Sequence, residues 1–501
     1  GGGAIPGEEV FAAALAQLEQ RYDTRHGGFG GAPKFPQAPL LALVEALSEM
    51  PAPGHAKAGD MLRETLVRMA SSGLRDHLDG GFFRYTVDGT WTIPHFEKML
   101  YDNAMLLPLY AEAARRWSDG FLEETASGVV AWLGSEMFHP DGAFYASIDA
   151  DADGEEGGFH LWQREEVCEL LAADEYESVA AAFGLHGPPN FEGHSWHLVP
   201  QATGRVDVDP AILEKLHSAR AERVPPATDT KLLTSWNALC VEGLARAGLA
   251  LRRDDWLDLA AQTMDFLLSA LWQGSGLCAV YAGGKAHFDA YLDDHAYLLN
   301  ALLALMQTRW RPGYMESATS LAEALVESFA DREQGGFYFT RERQAAPIHR
   351  LRPMQDDATP AGNGIAARAL MTLGHLTGET RYLDAGRRTL ESAAAELRAR
   401  PLAHAALLVA LREFLDPPPQ VIVTGADATE TAAWAEAARR SFRGRHRLNC
   451  YALHPDAGAL PGILGGVEPE NGTRAYVCRG LQCLPPARSA EQLTRLLTAA
   501  G

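Results

Sequence analysis

A mainly helical chain closed into an (α/α)6 barrel, a six-hairpin toroid, is the fold the sequence predicts. Three observations predict it. Twelve stretches carry helical hydrophobic periodicity, loops rich in glycine and aromatics recur between them, and those loops all fall between an odd-numbered helix and the next even one.

The first helix is expected over 8–22, where Phe11, Leu15, Leu18 and Tyr22 recur at steps of four, three and four and so share one face. The same test predicts helices over 39–50, 56–74, 96–117, 120–138 and 235–252. The seventh, over 255–272, carries Trp256, Leu259, Thr263, Phe266 and Leu267, and five more follow over 291–309, 315–330, 361–377, 380–399 and 401–415. Between them stand "GGFG" (27–30), "GGFFRY" (80–85), "GAFY" (142–145) with "GGFHLW" (157–162), "GLCAVY" (276–281) and "GGFYFT" (335–340). The starts at 27, 80 and 142 are 53 and 62 residues apart, and those at 276 and 335 are 59 apart. Glycine supplies positive-φ turns and the aromatics read as short strands. With odd and even helices alternating, every such loop must lie at one end of the barrel. If the even helices form the inner ring, their N-termini, with positive dipole ends and free N–H groups, open at that end onto one mouth.

Two segments break the period. Residues 163–234 form an insertion within a barrel spanning 1–415, and residues 416–501, after "DPPPQ", read as strand, helix, strand, strand in a small α/β domain. An apolar content of 47% with 22% charged residues is that of a globular protein. The net charge of -21 argues against binding to nucleic acid or an anionic membrane, and no apolar run is long enough to span a bilayer. The sequence opens "GGGAIPGEEV", with no signal-peptide pattern and no initial Met, which points to a chain trimmed upstream. Six cysteines in 501 residues are no disulfide framework. A reducing cytoplasm is the expected setting, with Cys478 and Cys483 as structural thiols.

Polar residues gather at the predicted mouth. "PKFPQ" brings Lys34, and "WTIPHFEKMLYDNA" brings His95, Glu97 and Asp102. Read as one helix, this stretch puts His95 and Asp102 on a common face, with Glu97 about 140° round from Asp102; a structural pair of Asp102 with Lys98 is the alternative to its catalytic reading. "TSWNA" brings Trp236 and Asn237, "YLDDHAY" brings Asp294 and His295 with Asp293 as the helix N-cap, "GNG" brings Asn363, and "RPLAHA" brings His404. Phe83, Tyr85, Tyr145 and Trp162 from the Gly-aromatic loops are candidate sugar platforms. In "SIDADADGEEGGFHLW", Asp149 and Asp151 read as an acidic wall of the site. A calcium loop counted from Asp149 has Gly154 at its sixth position but His160 where a bidentate Glu is needed. No metal and no cofactor are expected. His194-x-x-His197 is a weak metal pattern, and the H-x-E of His95 and Glu97 lacks the P-C-x-x-C of a deaminase.

"GGFGGAPKFP", "HLDGGFFRYTVDGTWTIPHFEKMLYDNA", "DADADGEEGGFHLW", "TKLLTSWNAL" and "AYVCRGLQCLPP" resemble the spermatogenesis-associated protein 20-like family from near residue 27 to 484. The resemblance implies a barrel similar to six-hairpin glycosidases and N-acylglucosamine 2-epimerases. It also implies a thioredoxin-like domain upstream, whose Cys-x-x-Cys is not in this sequence. The family commonly has Tyr where His295 stands and Glu where Asp153 stands.

Three functions fit. The first is an inverting glycoside hydrolase, with a protonated acid and an ionised carboxylate drawn from Asp102, Asp149, Asp151 and Asp294. The second is a sugar 2-epimerase or isomerase. The epimerase relatives take their catalytic histidines from helices 8 and 12, where this chain has His295 and His404. The third is a binding module that serves the thioredoxin-like domain without turning a ligand over.

Overall fold

The computed structural model describes residues 3–51, 54–274, 276–342, 344, 349–442, 447–453, 462, 464 and 472–500. Its barrel helices are α1 (Glu9–Arg21), α2 (Ala38–Ser48), α3 (His55–Ala70), α4 (Leu100–Trp117) and α5 (Gly120–Trp132). The insertion supplies α6 (Arg164–Leu170), α7 (Ala173–Phe183) and α8 (Pro210–Ala221). The barrel resumes with α9 (Thr234–Leu251), α10 (Asp254–Ala270), α11 (Leu292–Leu305), α12 (Tyr314–Ala324), α13 (Gly362–Thr377), α14 (Thr380–Ala399) and α15 (Ala405–Leu415). Last come α16 (Ala428–Ser441) and α17 (Ala490–Ala500).

Helices α2, α4, α9, α11, α13 and α15 each pack on the next, and α15 packs back on α2, closing a six-membered inner ring. Their sequences explain the placement. Ten of the eleven residues of α2 are buried, and α13 buries residues on every side, whereas outer helices such as α14 bury one stripe. The chain is therefore an (α/α)6 barrel whose inner ring is every second one of the twelve barrel helices expected from the sequence, the second, fourth and so on to the twelfth.

The Gly-aromatic loops share one backbone device. Asp23, Asp76 and Asp331 each open the sequence D-x-x-x-G-G-F. In each, one carboxylate oxygen accepts the N–H groups two and three residues on, at 3.0–3.2 Å. The residue before the Asp pairs with the Phe in an antiparallel bridge: Tyr22 with Phe29, Arg75 with Phe82, Ala330 with Phe337. The other oxygen holds a cation, Lys34 at 2.7 Å, Lys98 at 2.7 Å or Arg352 at 3.0 Å. Both glycines have positive φ in all three loops. A Cβ on Gly80 would sit 2.3 Å from the Gly128 carbonyl oxygen, so no other residue fits there.

Inner helices clamp these loops with asparagine. Asn103, Asn237 and Asn363 lie in the first turns of α4, α9 and α13. Each accepts the N–H of a loop phenylalanine (Phe82, Phe144, Phe337) and donates to that residue's carbonyl, at 2.7–3.0 Å. The loops thus sit at the N-terminal ends of the inner helices and ring one mouth. Asn237→Ala would orphan the buried Phe144 N–H and C=O. We expect it to cost about 2–3 kcal/mol, read as a lowered melting temperature with the mouth chemistry otherwise unchanged.

Several boundaries differ from the periodicity. α4 begins at Leu100 rather than 96, because Lys98–Met99 is a strand that pairs with Ser147–Ile148, itself paired with Thr228–Asp229. Pro94–His95 is likewise extended, paired with Tyr85–Thr86. His404 ends a 3-10 turn, Pro401–His404, ahead of α15. Two further cores adjoin the barrel. One, inside the insertion, gathers Trp162, Val167, Phe183 and Trp196. The other lies between α16, α17 and a sheet in which Gln420–Thr424 runs parallel to Asn449–Leu453 and antiparallel to Arg474–Arg479. On that sheet Val421 and Val423 face the helices, while Ile422 joins the barrel core. His454 and Pro455, the end of the expected strand "NCYALHP", lie outside the described residues. Cys478 and Cys483 form a disulfide across the short pairing of Arg474–Arg479 with Gln482–Cys483, which corrects the expectation of free thiols. Among the described residues no helix is long and apolar enough to cross a membrane.

Candidate functional site at the barrel mouth

The mouth is built by the first turns of the inner helices, which bring Asp102 (α4), Trp236 (α9), Asp293, Asp294 and His295 (α11) and His404 (before α15) to one end. Asp102 is 8% exposed, and its Oδ2 is buried without a hydrogen-bond partner. Burial pushes its carboxyl well above the usual range, and Glu97 adds to the shift. The Arg84 guanidinium opposes it but does not prevail. Burial thus favours the neutral form of Asp102. Lys98 is not its partner: its ammonium, 2% exposed, binds Asp76 and the Gly80 carbonyl. Because 94–99 is extended, His95 and Asp102 do not share a helical face.

His95 stands outside the helix. Its Nδ1 lies 2.7 Å from Glu156 and its Nε2 3.5 Å from Glu97, which Arg84 binds at 3.2 Å. Its ring stacks on Tyr85, which stacks on Phe35, giving a half-exposed ladder of three rings. Glu156 belongs to the acidic loop. There Asp151–Ala152 pairs with Glu155–Glu156 through a two-residue turn, Asp153–Gly154, with φ of 53° and 81°. Positive φ at both positions makes a type I′ hairpin, which is why Asp-Gly stands there. Asp151 is exposed on this hairpin and Asp149 is exposed just before it. Among the described residues no group of three His, Cys, Asp or Glu side chains is arranged to hold a metal.

The two aspartates of α11 exchange their expected roles. Asp294, not Asp293, caps the helix: its carboxylate accepts the Tyr291 N–H at 2.8 Å and the Ser235 N–H at 3.0 Å. Burial still outweighs these bonds and raises it to about 7. Asp294 thus ties α11 to α9, and both of its oxygens are engaged. Asp293 is the free one. Its Oδ1 is buried without a partner against Gly362, and burial raises it to about 7. A carboxyl raised on folding contributes stability in acid that is lost as pH rises through its folded value. Asp293→Asn should therefore raise the melting temperature most at pH 8, less at pH 5, and leave it nearly unchanged only below about pH 4.

The two histidines are held alike. His295 Nδ1 lies 2.8 Å from the Tyr291 carbonyl and His404 Nδ1 2.9 Å from the Arg400 carbonyl, each four residues back along the chain. A carbonyl accepts only, so Nδ1 carries the hydrogen and Nε2 the lone pair in both. The Nε2 of His295 accepts from Arg341 at 2.9 Å, and burial lowers the imidazole to about 4. The Nε2 of His404 has no hydrogen-bond partner among the described residues, although the residue is only 2% exposed. Asp356, which the sequence reading missed, lies in its field. Asp356 accepts the Ala361 N–H at 2.7 Å and the Ala406 N–H at 3.0 Å, bridging the starts of α13 and α15, and burial raises it to about 6. The signal for it was Asp-x4-Ala ahead of a helix start, lost within "DDATPAGNG".

Other expected site residues are structural. Lys34, fully buried, binds Asp23 and the Gly89 carbonyl beneath the Trp91 ring. Phe83 is core, packed on Phe96, His160 and His197. Trp162 is 1% exposed inside the insertion core, with Arg223 over its ring. The amides of Asn237 and Asn363 are spent on loop backbone, so neither offers a ligand group. Trp236 is half-buried edge-on to Tyr101, and Tyr145 is half-buried against His139.

No family model matches the chain. It is 28% identical to human spermatogenesis-associated protein 20, across 96% of this chain and 68% of that protein. It is 30% identical to the Rattus norvegicus protein of the same name, across 82% of this chain and 58% of that protein. The chain thus spans between about half and two thirds of the length of these relatives. Among solved structures, a D-mannose isomerase superposes with a TM-score of 0.53 at 12% identity, over 82% of this chain and 99% of that one. A cellobiose 2-epimerase from Bacillus thermoamylovorans superposes with a TM-score of 0.51 at 10% identity, over 77% and 87%. At these identities the superpositions establish the fold.

Proposed function

Taking its homologues named spermatogenesis-associated protein 20 and its barrel architecture as premises, we propose that this chain is a carbohydrate-active enzyme that moves a proton at the carbon next to a sugar carbonyl. The class of reaction is aldose–ketose isomerisation or 2-epimerisation. The observation that carries the reading is the matched pair of histidines, His295 and His404. Each has its hydrogen fixed on Nδ1 by a main-chain carbonyl, and His404 has a free Nε2 lone pair. His404 is the base: it takes the proton from the carbon, the bonding pair shifts onto the carbonyl oxygen to give an enediolate, and the proton returns from His404 to carbon as that pair shifts back; in isomerisation it returns to the former carbonyl carbon and the proton of the neighbouring hydroxyl passes to the charged oxygen. Arg341, bound to His295, is a cation suited to the oxygen that gains charge. The stack of Phe35, Tyr85 and His95 is a platform for the sugar ring. Solved neighbours of this fold named D-mannose isomerase and cellobiose 2-epimerase supply the first free sugars to test.

Inverting hydrolysis is the second reading, and Asp102 favours it as a general acid, since burial raises its carboxyl and leaves its Oδ2 without a partner. It also needs an ionised carboxylate nearby, yet Asp294 is committed to its cap, and Asp151 on the hairpin and Asp149 just before it are exposed. Asp102→Asn separates the two. It keeps size and a donor while removing the acidic proton. The proton-transfer reading expects turnover on a free sugar to stay within about tenfold. Hydrolysis expects glycoside cleavage to fall by at least about 10².

A further inference from the structure

We propose that a cavity at the opposite end of the barrel binds a small dianion of phosphomonoester chemistry, at a site distinct from the mouth. The cavity has a volume of about 610 Å³ and lies between the C-terminal ends of α4, α9, α11 and α13 and the sheet of the C-terminal segment. Arg115, on its wall, is thirteen residues beyond Asp102 on α4, so the cavity lies roughly 20 Å from the mouth. That volume is within the roughly 300–1,000 Å³ range of small-molecule sites.

Its charge is opposite to that of the rest of the molecule. In a chain of net charge -21, seven arginines and five glutamates among the described residues line it. Most of these neutralise one another. Arg246 bridges Glu45 and Glu112, Arg447 binds the same two, and Arg368 binds Glu413. Among the described residues of the wall, Arg115 and Arg439 have no carboxylate bonded to them. Arg115 makes no hydrogen bond or ion pair among the described residues. Arg439 binds only the carbonyls of Gln307 and Cys450, and its Nε is buried and unpartnered. An excess of two positive charges matches a phosphomonoester, which carries about -1.5 to -2 near pH 7. The guanidinium fork is the group that reads its oxygens in pairs.

Two neutral groups complete a built site. Tyr451, fully buried, has a hydroxyl with no partner, and Asn300, 9% exposed, has an amide with no hydrogen bond among the described residues. Buried polar groups are rarely left unpaired. A cavity wall with unpaired neutral groups beside guanidiniums that lack a carboxylate suits a ligand that brings both charge and hydroxyls.

The test is calorimetric titration of the whole chain with inorganic phosphate and with glycerol 3-phosphate, against sodium chloride at matched ionic strength. Both phosphates should bind. Arg439→Gln and Arg115→Gln should each weaken binding at least about tenfold, the loss of one charge-assisted hydrogen bond. His404→Asn, at the mouth, should bind as the parent does, so failure here is distinguishable from failure of the proposed sugar chemistry. Arg115 is exposed, so its variant decides the matter if Arg439→Gln is unstable. Heat no greater than chloride gives, binding of phosphate but not of glycerol 3-phosphate, unchanged affinity in a folded Arg115→Gln, or binding lost in His404→Asn would overturn the proposal.

Discussion

Replacing His404 with asparagine is expected to lower turnover on a free sugar by about 10²–10⁴, the contribution of a positioned general base. Asparagine can still donate to the Arg400 carbonyl, so the local turn before α15 should survive. It has no basic lone pair to offer in place of Nε2. The loss should fall on kcat with KM nearly unchanged, because the imidazole acts on the reacting carbon rather than on binding. An unchanged kcat, with melting temperature also unchanged, would make His404 scaffolding. His295→Asn should act differently. It frees Arg341 from its imidazole partner and should disturb KM as well as kcat, since that cation faces the charged oxygen in the proposed reaction.

The largest expected loss of stability belongs to Asp76→Ala. Asp76 is 3% exposed and sits between two buried cations, Lys98 at 2.7 Å and Arg220 at 3.0 Å. It joins three parts of the molecule: its own Gly-Gly-Phe loop, the strand that enters α4, and α8 of the insertion. Burial by itself would raise its carboxyl, but Arg220 and Lys98 outweigh that and hold it well below the usual range. Removing it leaves the buried Lys98 ammonium with no carboxylate and Arg220 with Asp79 alone, a cost of about 3–5 kcal/mol. The melting temperature should fall by several degrees, and a protease should cut the insertion first. Retention of the parent melting temperature would remove the network from the account.

The same network sets the acid limit. A carboxyl lowered on folding contributes fully above its unfolded value, about 3.9, and its contribution is lost as pH falls towards the folded value. His160 works in the same direction from a higher pH. Burial and Arg220 hold it neutral in the folded chain, so unfolding takes up a proton below about pH 6.5. Stability should therefore decline with acid from about pH 6.5 and steepen below about pH 4.

How much of this was legible in the sequence follows from which signals are periodic. The barrel was, because inner helices bury residues all round and each Gly-Gly-Phe loop repeats a positive-φ device that no other residue type can fill. The ends of α4 and α15 were not, because strand pairing and a 3-10 turn override helical spacing there. Asp293 and Asp294 were exchanged because capping was assigned by order along the chain. The acceptor that reaches the Tyr291 N–H is decided by where α9 lies. Asn237, Asn363 and Lys34 were read as ligand groups because polar residues at a mouth look alike in sequence. Their partners, a Phe backbone or an Asp in another hairpin, are known only once the ring closes. The thrice-repeated Asp of D-x-x-x-G-G-F was visible and would have assigned Lys34 and Lys98 correctly.

The central claim is proton transfer next to a sugar carbonyl, and solvent exchange tests it most directly. The chain would be incubated in deuterium oxide with D-mannose or cellobiose, and the carbon next to the carbonyl followed by NMR. The account predicts deuterium at that carbon in the parent and Asp102→Asn chains, and none above background in His404→Asn. No deuterium from either sugar, together with glycoside cleavage that disappears in Asp102→Asn, would contradict it.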